Sequence, residues 1–272
     1  MPGRSSRTGG VLLAAAVYAV VLLVLVLPLV LVVAQALATG FAPAWQSLLD
    51  PDAVAAIRLT LVVTLASTAI NSVGGVMAAW ALTKYRFPGR GVLLVLIELP
   101  ISVSPVIAGL VWLLLFGRGG WWGALLARHN IQVAFATPGI ILATLFVTFP
   151  YVARTLMPLM EQQGRDAEEA AFLLGAGFWQ TLWRVTIPGA RWALLSGILL
   201  TTARGIGEFG AVSVVSGHIP GLTETMPLHI ETLYNGYQTV AAFAMAALLA
   251  LIAMTTVLLR SFFEHDFKKA SS

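Results

Sequence analysis

Arg204 and Glu208 are two ionisable side chains four residues apart in the glycine-rich run "ARGIGEFGA", inside an otherwise apolar stretch. At that spacing they share one helix face and can pair. They read either as a self-neutralising pair between helices or as the lining of a polar path or its gate. A third ionisable residue, Glu98, opens "ELPISVSP", where Pro100 and Pro105 bracket Ser102 and Ser104. The prolines release backbone groups that only a cavity or a neighbouring helix can satisfy. Ser102, Ser104 and Pro105 therefore join Arg204 and Glu208 as candidates for a translocation pathway or gate. Glu98 is read as snorkelling toward Arg86 or Arg90, or as capping the broken helix.

Hydrolytic chemistry finds no such support. There is no H-E-x-x-H pair, no G-x-S-x-G elbow and no G-x-x-x-x-G-K-[ST] phosphate loop. The three lysines, Lys84, Lys268 and Lys269, do not follow glycines, and His129, His218, His229 and His265 lack ligand spacing. Cysteine is absent, which removes disulfides and thiolate metal sites. No catalytic residue, metal or cofactor is expected in this chain, and any energy it uses must come from elsewhere.

The elements that hold these residues follow from composition. Of 272 residues 58% are hydrophobic and only 10% charged, against roughly a quarter charged in soluble domains. The mean hydropathy is +0.88. This is an integral membrane chain, and the absence of alternating segments argues for helices over a β-barrel. Uncharged runs long enough to cross a bilayer predict six spans, at about 11–38, 59–83, 92–116, 138–157, 192–215 and 239–260, in a single transmembrane domain over 1–272. The small-residue run "AQALA", Ala34 to Ala38, resembles a signal cleavage site. The apolar run before it is about twice the usual signal core, so an uncleaved anchor is expected.

Net charge +4 and a pI near 9.8 would suggest nucleic acid in a soluble domain. Here the distribution of basic residues explains them better. With the N-terminus inside, Arg4, Arg7, Lys84, Arg86, Arg90, Arg154, Arg165, Arg184, Arg191, Arg260, Lys268 and Lys269 are cytoplasmic. Only Arg58, Arg118 and Arg128 lie outside, and Arg204 is within the membrane. The positive-inside rule then places both termini, and the loop 158–191, in the cytoplasm.

That loop contains "DAEEAAFLLGAGFWQTLWRVTIPGA". Asp166, Glu168 and Glu169 load the start of a short helix with the charge its dipole favours. Gly175 or Gly177 can end it in a left-handed conformation. Trp179, Leu182 and Trp183 then form an apolar stripe on a second short helix, and Pro188 is expected to stop regular structure before the fifth span. The result is a cytoplasmic knob with an exposed apolar face, suited either to its own bundle and the lipid headgroups or to a partner.

Its spacing is specific. Glu169-Ala170-Ala171, three residues, Gly175, nine residues, then Val185-Thr186-Ile187-Pro188 resembles the "EAA, three, G, nine, I-x-L-P" loop of permease subunits in bacterial ABC importers, with Val for Ile and Ile for Leu. Glu98 to Gly109 is similar to the proline-broken core helix of the sulfate, thiosulfate and molybdate permeases. "GEFGA" does not discriminate among these, but "SVVSGHIPGLT" with "MPLHIE" resembles the sulfate/thiosulfate type, particularly its CysW-type subunits.

The resemblance implies an all-α type I permease fold in the bacterial cytoplasmic (inner) membrane. It implies that Glu169, Ala170, Ala171, Gly175, Val185, Ile187 and Pro188 couple to an ABC ATPase dimer. It also implies a second, related permease chain, making a heterodimer, and a periplasmic sulfate- or thiosulfate-binding protein, with no nucleic-acid partner. Molybdate, tungstate or another oxyanion is the alternative cargo. A secondary transporter is the alternative class; it would need internal repeats, and the 166–190 pattern does not recur.

Overall fold

The computed structural model describes residues 4–270, with side chains for 10–263. The side chains of Arg4, Arg7, His265, Lys268 and Lys269 lie outside the described residues. Among those described the chain is helical throughout, with no strand.

The first helical path runs through Arg4–Val21, a π-turn at Leu22–Val26, and Leu27–Ala36. Pro28 has no N–H to give, and the wider turn just before it, in which the Leu27 N–H reaches the Leu22 carbonyl, absorbs the defect without breaking the helix. From Gly10 to Ala36 this path is almost bare of protein. Its second half, Leu27–Ala36, runs against helix Thr239–Ala270, and Ala36 is buried there against Ala44 and Ala244.

Helix Pro51–Lys84 starts sharply. The Asp50 side chain accepts the Asp52 N–H at 2.9 Å and proline occupies the first turn, the standard N-terminal arrangement. Its buried face is polar: Thr60, Thr64, Ser67, Thr68 and Asn71 repeat at helical spacing. In a bundle surrounded by lipid, such groups hold helices together by hydrogen bonds. Ser67 Oγ donates to the Ile141 carbonyl at 3.2 Å, and Asn71 Nδ2 donates to the Leu145 carbonyl and to Thr148 Oγ1 at 3.1 and 2.8 Å. All these acceptors lie on helix Thr137–Gln162. Gly75 permits the close approach, since a Cβ there would stand 2.7 Å from Val152 Cβ.

Two expected spans prove to be broken. The third is a pair, Arg90–Ser102 and Pro105–Phe116, bent by 109°, because Pro105 keeps Ser104 extended (ψ 132°). The fifth departs from the expectation of one helix running to Val215. Helix Ile187–Ile206 ends there, and a separate short helix, Gly210–Val215, follows. Gly205, Gly207 and Gly210 weaken continuity, and the Glu208 carboxylate, at the break, caps the new helix by accepting the Ala211 N–H at 3.0 Å.

Pro188 also departs from expectation, because it stops nothing. Phe178–Thr181, a π-turn at Leu182–Thr186 and Ile187–Ile206 form one path, with the Ile187 N–H on the Leu182 carbonyl. This is the same device as at Pro28. Met226–Asn235 and the long helix Thr239–Ala270 complete the chain.

Among the described residues four helices are long and apolar enough to cross a membrane, Gly10–Ala36, Pro51–Lys84, Thr137–Gln162 and Thr239–Phe263, and the bent pair makes up to five. Two cores fix the bundle. One gathers Val63, Ile140, Val147, Val212 and Leu228. The other, beside the 158–191 loop, gathers Trp80, Val152, Leu156, Met160, Leu182 and Ala190.

Candidate functional site

The loop forms a knob on the second core. Helix Asp166–Leu173 carries its three acids in the first turn, and the chain reverses at Gly175, whose φ is +86°. Gly177 is extended, with φ −76°. Of the two glycines the sequence left open, Gly175 is therefore the one whose conformation demands glycine.

Glu169 and Ala170 face outward, Ala171 is half-buried, and Val185 and Ile187 are half-buried at the knob's root, with Pro188 exposed beside them. Leu173 and Leu174 are 90% and 89% exposed, with Trp179 and Trp183 at 61% and 65%. Four large apolar side chains exposed on one loop make it a candidate interaction site. Beside it runs a groove of about 300 Å³ lined by Met77, Trp80, Tyr85, Phe178, Trp179 and Leu182. The Trp80 and Phe178 rings pack against each other in its wall, with centroids 4.4 Å apart.

Beneath the knob is an ion pair that sequence reasoning missed. Lys84, the last residue of its helix, places Nζ 3.1 Å from Glu168 Oε1, and both side chains are almost fully buried. Lys84 Nζ also donates to the Gly164 carbonyl, and Thr186 Oγ1 donates to Glu168 Oε1 at 3.2 Å. The ion pair thus joins the end of one core helix, the start of the loop and the root of the next. Burial, and after it the negative charge of Glu168, pushes the neighbouring Tyr85 phenol above its ordinary value. The available signal was Lys84 itself, a lone lysine ending an apolar run.

The second candidate constellation lies where the two broken spans meet. A Cβ on Gly210 would stand 3.0 Å from Pro105 Cβ, and one on Gly109 would stand 2.7 Å from the Ala211 carbonyl oxygen. The two breaks are thus in direct contact through small residues. Arg204 Nη1 reaches Glu208 Oε2 at 2.7 Å; the arginine is about one-third exposed and the glutamate is buried. Pro105 belongs to this junction, whereas Ser102 and Ser104 lie exposed at the bend.

Glu98 neither caps the break nor meets Arg86 or Arg90. It stands 3.9 Å from Arg154 Nε, while Arg90 pairs with Glu161 at 3.6 Å. Both pairs are about half exposed, where such contacts contribute little.

A third polar group, also missed, closes the opposite end of helix Pro51–Lys84. Glu224 Oε2 lies 3.0 Å from His229 Nδ1, and its Oε1 accepts from Thr232 Oγ1 at 2.8 Å. Thr60 Oγ1 accepts the Met226 N–H at 2.8 Å. The i, i+5 spacing of Glu224 and His229 gave no helix-face signal, since Thr225 begins a new helix as its N-cap.

Residues 70–269 match the family described as binding-protein-dependent transport system inner membrane component. The chain is 50% identical over 238 residues to the sulfate transport system permease protein CysW of Escherichia coli (strain K12), covering 88% of this chain and 82% of that one. To the sulfate transport system permease protein CysT of the same strain it is 38% identical, covering 84% and 83%. Among solved structures it is similar to a chain from the crystal structure of a bacterial alginate ABC transporter in complex with alginate pentasaccharide-bound periplasmic protein. That likeness has a TM-score of 0.76 over 98% of this chain and 96% of the other, at 18% identity. At that identity it speaks for the fold alone, which is that of an ABC importer permease.

Proposed function

This chain belongs to the binding-protein-dependent transport system inner membrane components, and on that premise we propose that it forms one half of the membrane pathway of an ATP-driven importer for sulfate or thiosulfate. It is a multi-pass inner-membrane permease subunit and not an enzyme. Greater identity to the CysW protein than to the CysT protein supports the CysW-type role, with a related permease as the other half. The long apolar stretch of helix Gly10–Ala36 that stays unburied within this chain supports a second membrane chain beside this one. In this reading the chain has six spans, with the bent pair and the segment 192–215 each counted as one, both termini cytoplasmic and no cofactor.

The observation that carries the reading is the knob. Its exposed face of Leu173, Leu174, Trp179 and Trp183 rests on a buried, hydrogen-bonded base and fits a groove on an ATPase dimer. Glu169, Ala170, Ala171 and Gly175 shape that face, while Val185, Ile187 and Pro188 root it. ATP-driven closure of the dimer then moves the helices continuous with the knob, Thr137–Gln162 and Ile187–Ile206. The latter ends beside the junction of Pro105, Arg204 and Glu208, with Ser102 and Ser104 at the bend. A sulfate-type dianion passing there meets hydroxyls, helix ends and a single cation, so tight capture belongs to a periplasmic binding protein.

The test is reconstitution of this chain with its ATPase and companion permease in vesicles. The expected result is uptake of labelled sulfate or thiosulfate that needs ATP and the binding protein. Gradient-driven uptake without ATPase would establish a secondary transporter instead, and molybdate-selective uptake would reassign the cargo.

A further inference from the structure

We propose that Lys84 and Glu168 are positioning residues that form the transmission joint between the coupling knob and helix Pro51–Lys84, an inference that rests on the permease reading above. The knob is continuous in sequence with Thr137–Gln162 before it and Ile187–Ile206 after it. Helix Pro51–Lys84 has no such connection, because 81 residues separate its end from Asp166. Two kinds of contact join them at the knob: Trp80 packs on Phe178 and Leu182, and the buried pair adds the polar tie, with Lys84 Nζ on Glu168 Oε1 at 3.1 Å and on the Gly164 carbonyl, and Thr186 Oγ1 on the same carboxylate oxygen.

The arrangement is directional. The ammonium holds a carboxylate on the loop helix and a backbone carbonyl on the turn before it, so the loop's first turn cannot slide or rotate without losing both. An apolar contact in the same place would allow such sliding. The helix that receives this push is about 50 Å long at helical rise. Near its far end Thr60 Oγ1 holds the Met226 N–H at 2.8 Å, beside the buried group of Glu224, His229 and Thr232. A displacement of the knob therefore reaches the opposite end of the bundle through this helix, which moves together with Thr137–Gln162 because Ser67 and Asn71 tie the two in mid-length. Glu169, next to Glu168 but exposed, meets the ATPase, and Glu168 passes the movement on.

A replaced ion pair distinguishes transmission from simple stabilisation. Breaking a buried pair by removing one partner destabilises strongly, whereas replacing both by well-packed apolar groups is often neutral. In the assembled complex, Lys84→Met and Glu168→Gln should lower sulfate transported per ATP hydrolysed by roughly two- to thirty-fold. Lys84→Arg, which keeps a cation in reach of the carboxylate, should hold the ratio near wild type. The decisive variant is Lys84→Met with Glu168→Leu: assembly should match wild type while the ratio stays low. A double apolar variant that transports at the wild-type ratio overturns the joint and leaves the pair as architecture.

Because the chain contains no cysteine, the combination Lys84→Cys with Glu168→Cys adds a reversible test within one protein. Bridging it with a short bifunctional thiosulfonate should restore the ratio, and reduction should lower it again. An unchanged ratio on bridging counts against the joint. If the wild-type complex takes up no sulfate, the substrate reading fails separately. The joint is then judged by hydrogen exchange over residues 166–173, which should quicken in the single variants and slow on bridging. Exchange indifferent to both overturns it.

Discussion

Glu208 does two jobs with its two carboxylate oxygens. One accepts the Ala211 N–H and starts a helix, and the other meets Arg204. A simple exchange of the two residues is therefore no clean test of the pair, since an arginine at 208 cannot accept that N–H. Glu208→Gln keeps an acceptor and should keep the complex assembled. Glu208→Ala strands a buried donor, at about 1–3 kcal/mol, and should lower the amount of complex recovered from membranes. Arg204→Met on the Glu208→Gln background leaves no isolated charge. If Arg204 meets the passing anion, this double variant assembles yet loses most sulfate uptake, whereas wild-type uptake would reduce the arginine to a counter-ion. The pairing was legible from the i, i+4 spacing. The cap was not, because it exists only where the helix breaks, and three glycines signal weakness without saying at which residue the chain will turn.

At the scale of elements, the knob depends on one left-handed residue. Gly175 has open space where a Cβ would stand, so nothing but its φ of +86° resists a side chain. Left-handed backbone costs ordinary residues about 1–2 kcal/mol, with asparagine among the tolerant exceptions. Gly175→Asn should thus retain more ATPase on purification and more uptake than Gly175→Val, with equal membrane insertion of both. Equal activity in the two variants would show that the turn does not set the docking face. The loop helix and its glycine were readable because charge at a helix start and left-handed termination are local effects. The two proline-adjacent π-turns were not. Pattern reasoning treats Pro188 as a stop, while the fold widens one turn, keeps the helix running and rotates the segment before it. Lys84 was hidden for a different reason: its acid lies 84 residues away, and no local periodicity connects the two.

For the whole molecule, composition carried the class, because 58% hydrophobic and 10% charged residues leave too little polar surface to face water all round. Sidedness rests on the lysine and arginine distribution, and burial decides which positions can report it. Thr223 is buried and its hydroxyl holds the Ile219 N–H, whereas neighbouring Leu222 is exposed. In intact cells Leu222→Cys should react with an impermeant thiol reagent, and Arg90→Cys should react only after the membrane is opened. The reverse pattern would turn the knob away from the cytoplasm and remove the basis for ATP coupling.

The buried pair at Lys84 also sets an order of events during synthesis. When helix Pro51–Lys84 emerges, the carboxylate that will neutralise its terminal ammonium has yet to be translated, 84 residues downstream. At roughly 5–20 residues per second, the lysine waits several seconds at the membrane surface, held in water by its own charge. That charge marks where the span must stop before any partner exists. It leaves water only once the loop has been made and folded back, so closure of the pair records that the chain has been threaded correctly through its first two-thirds.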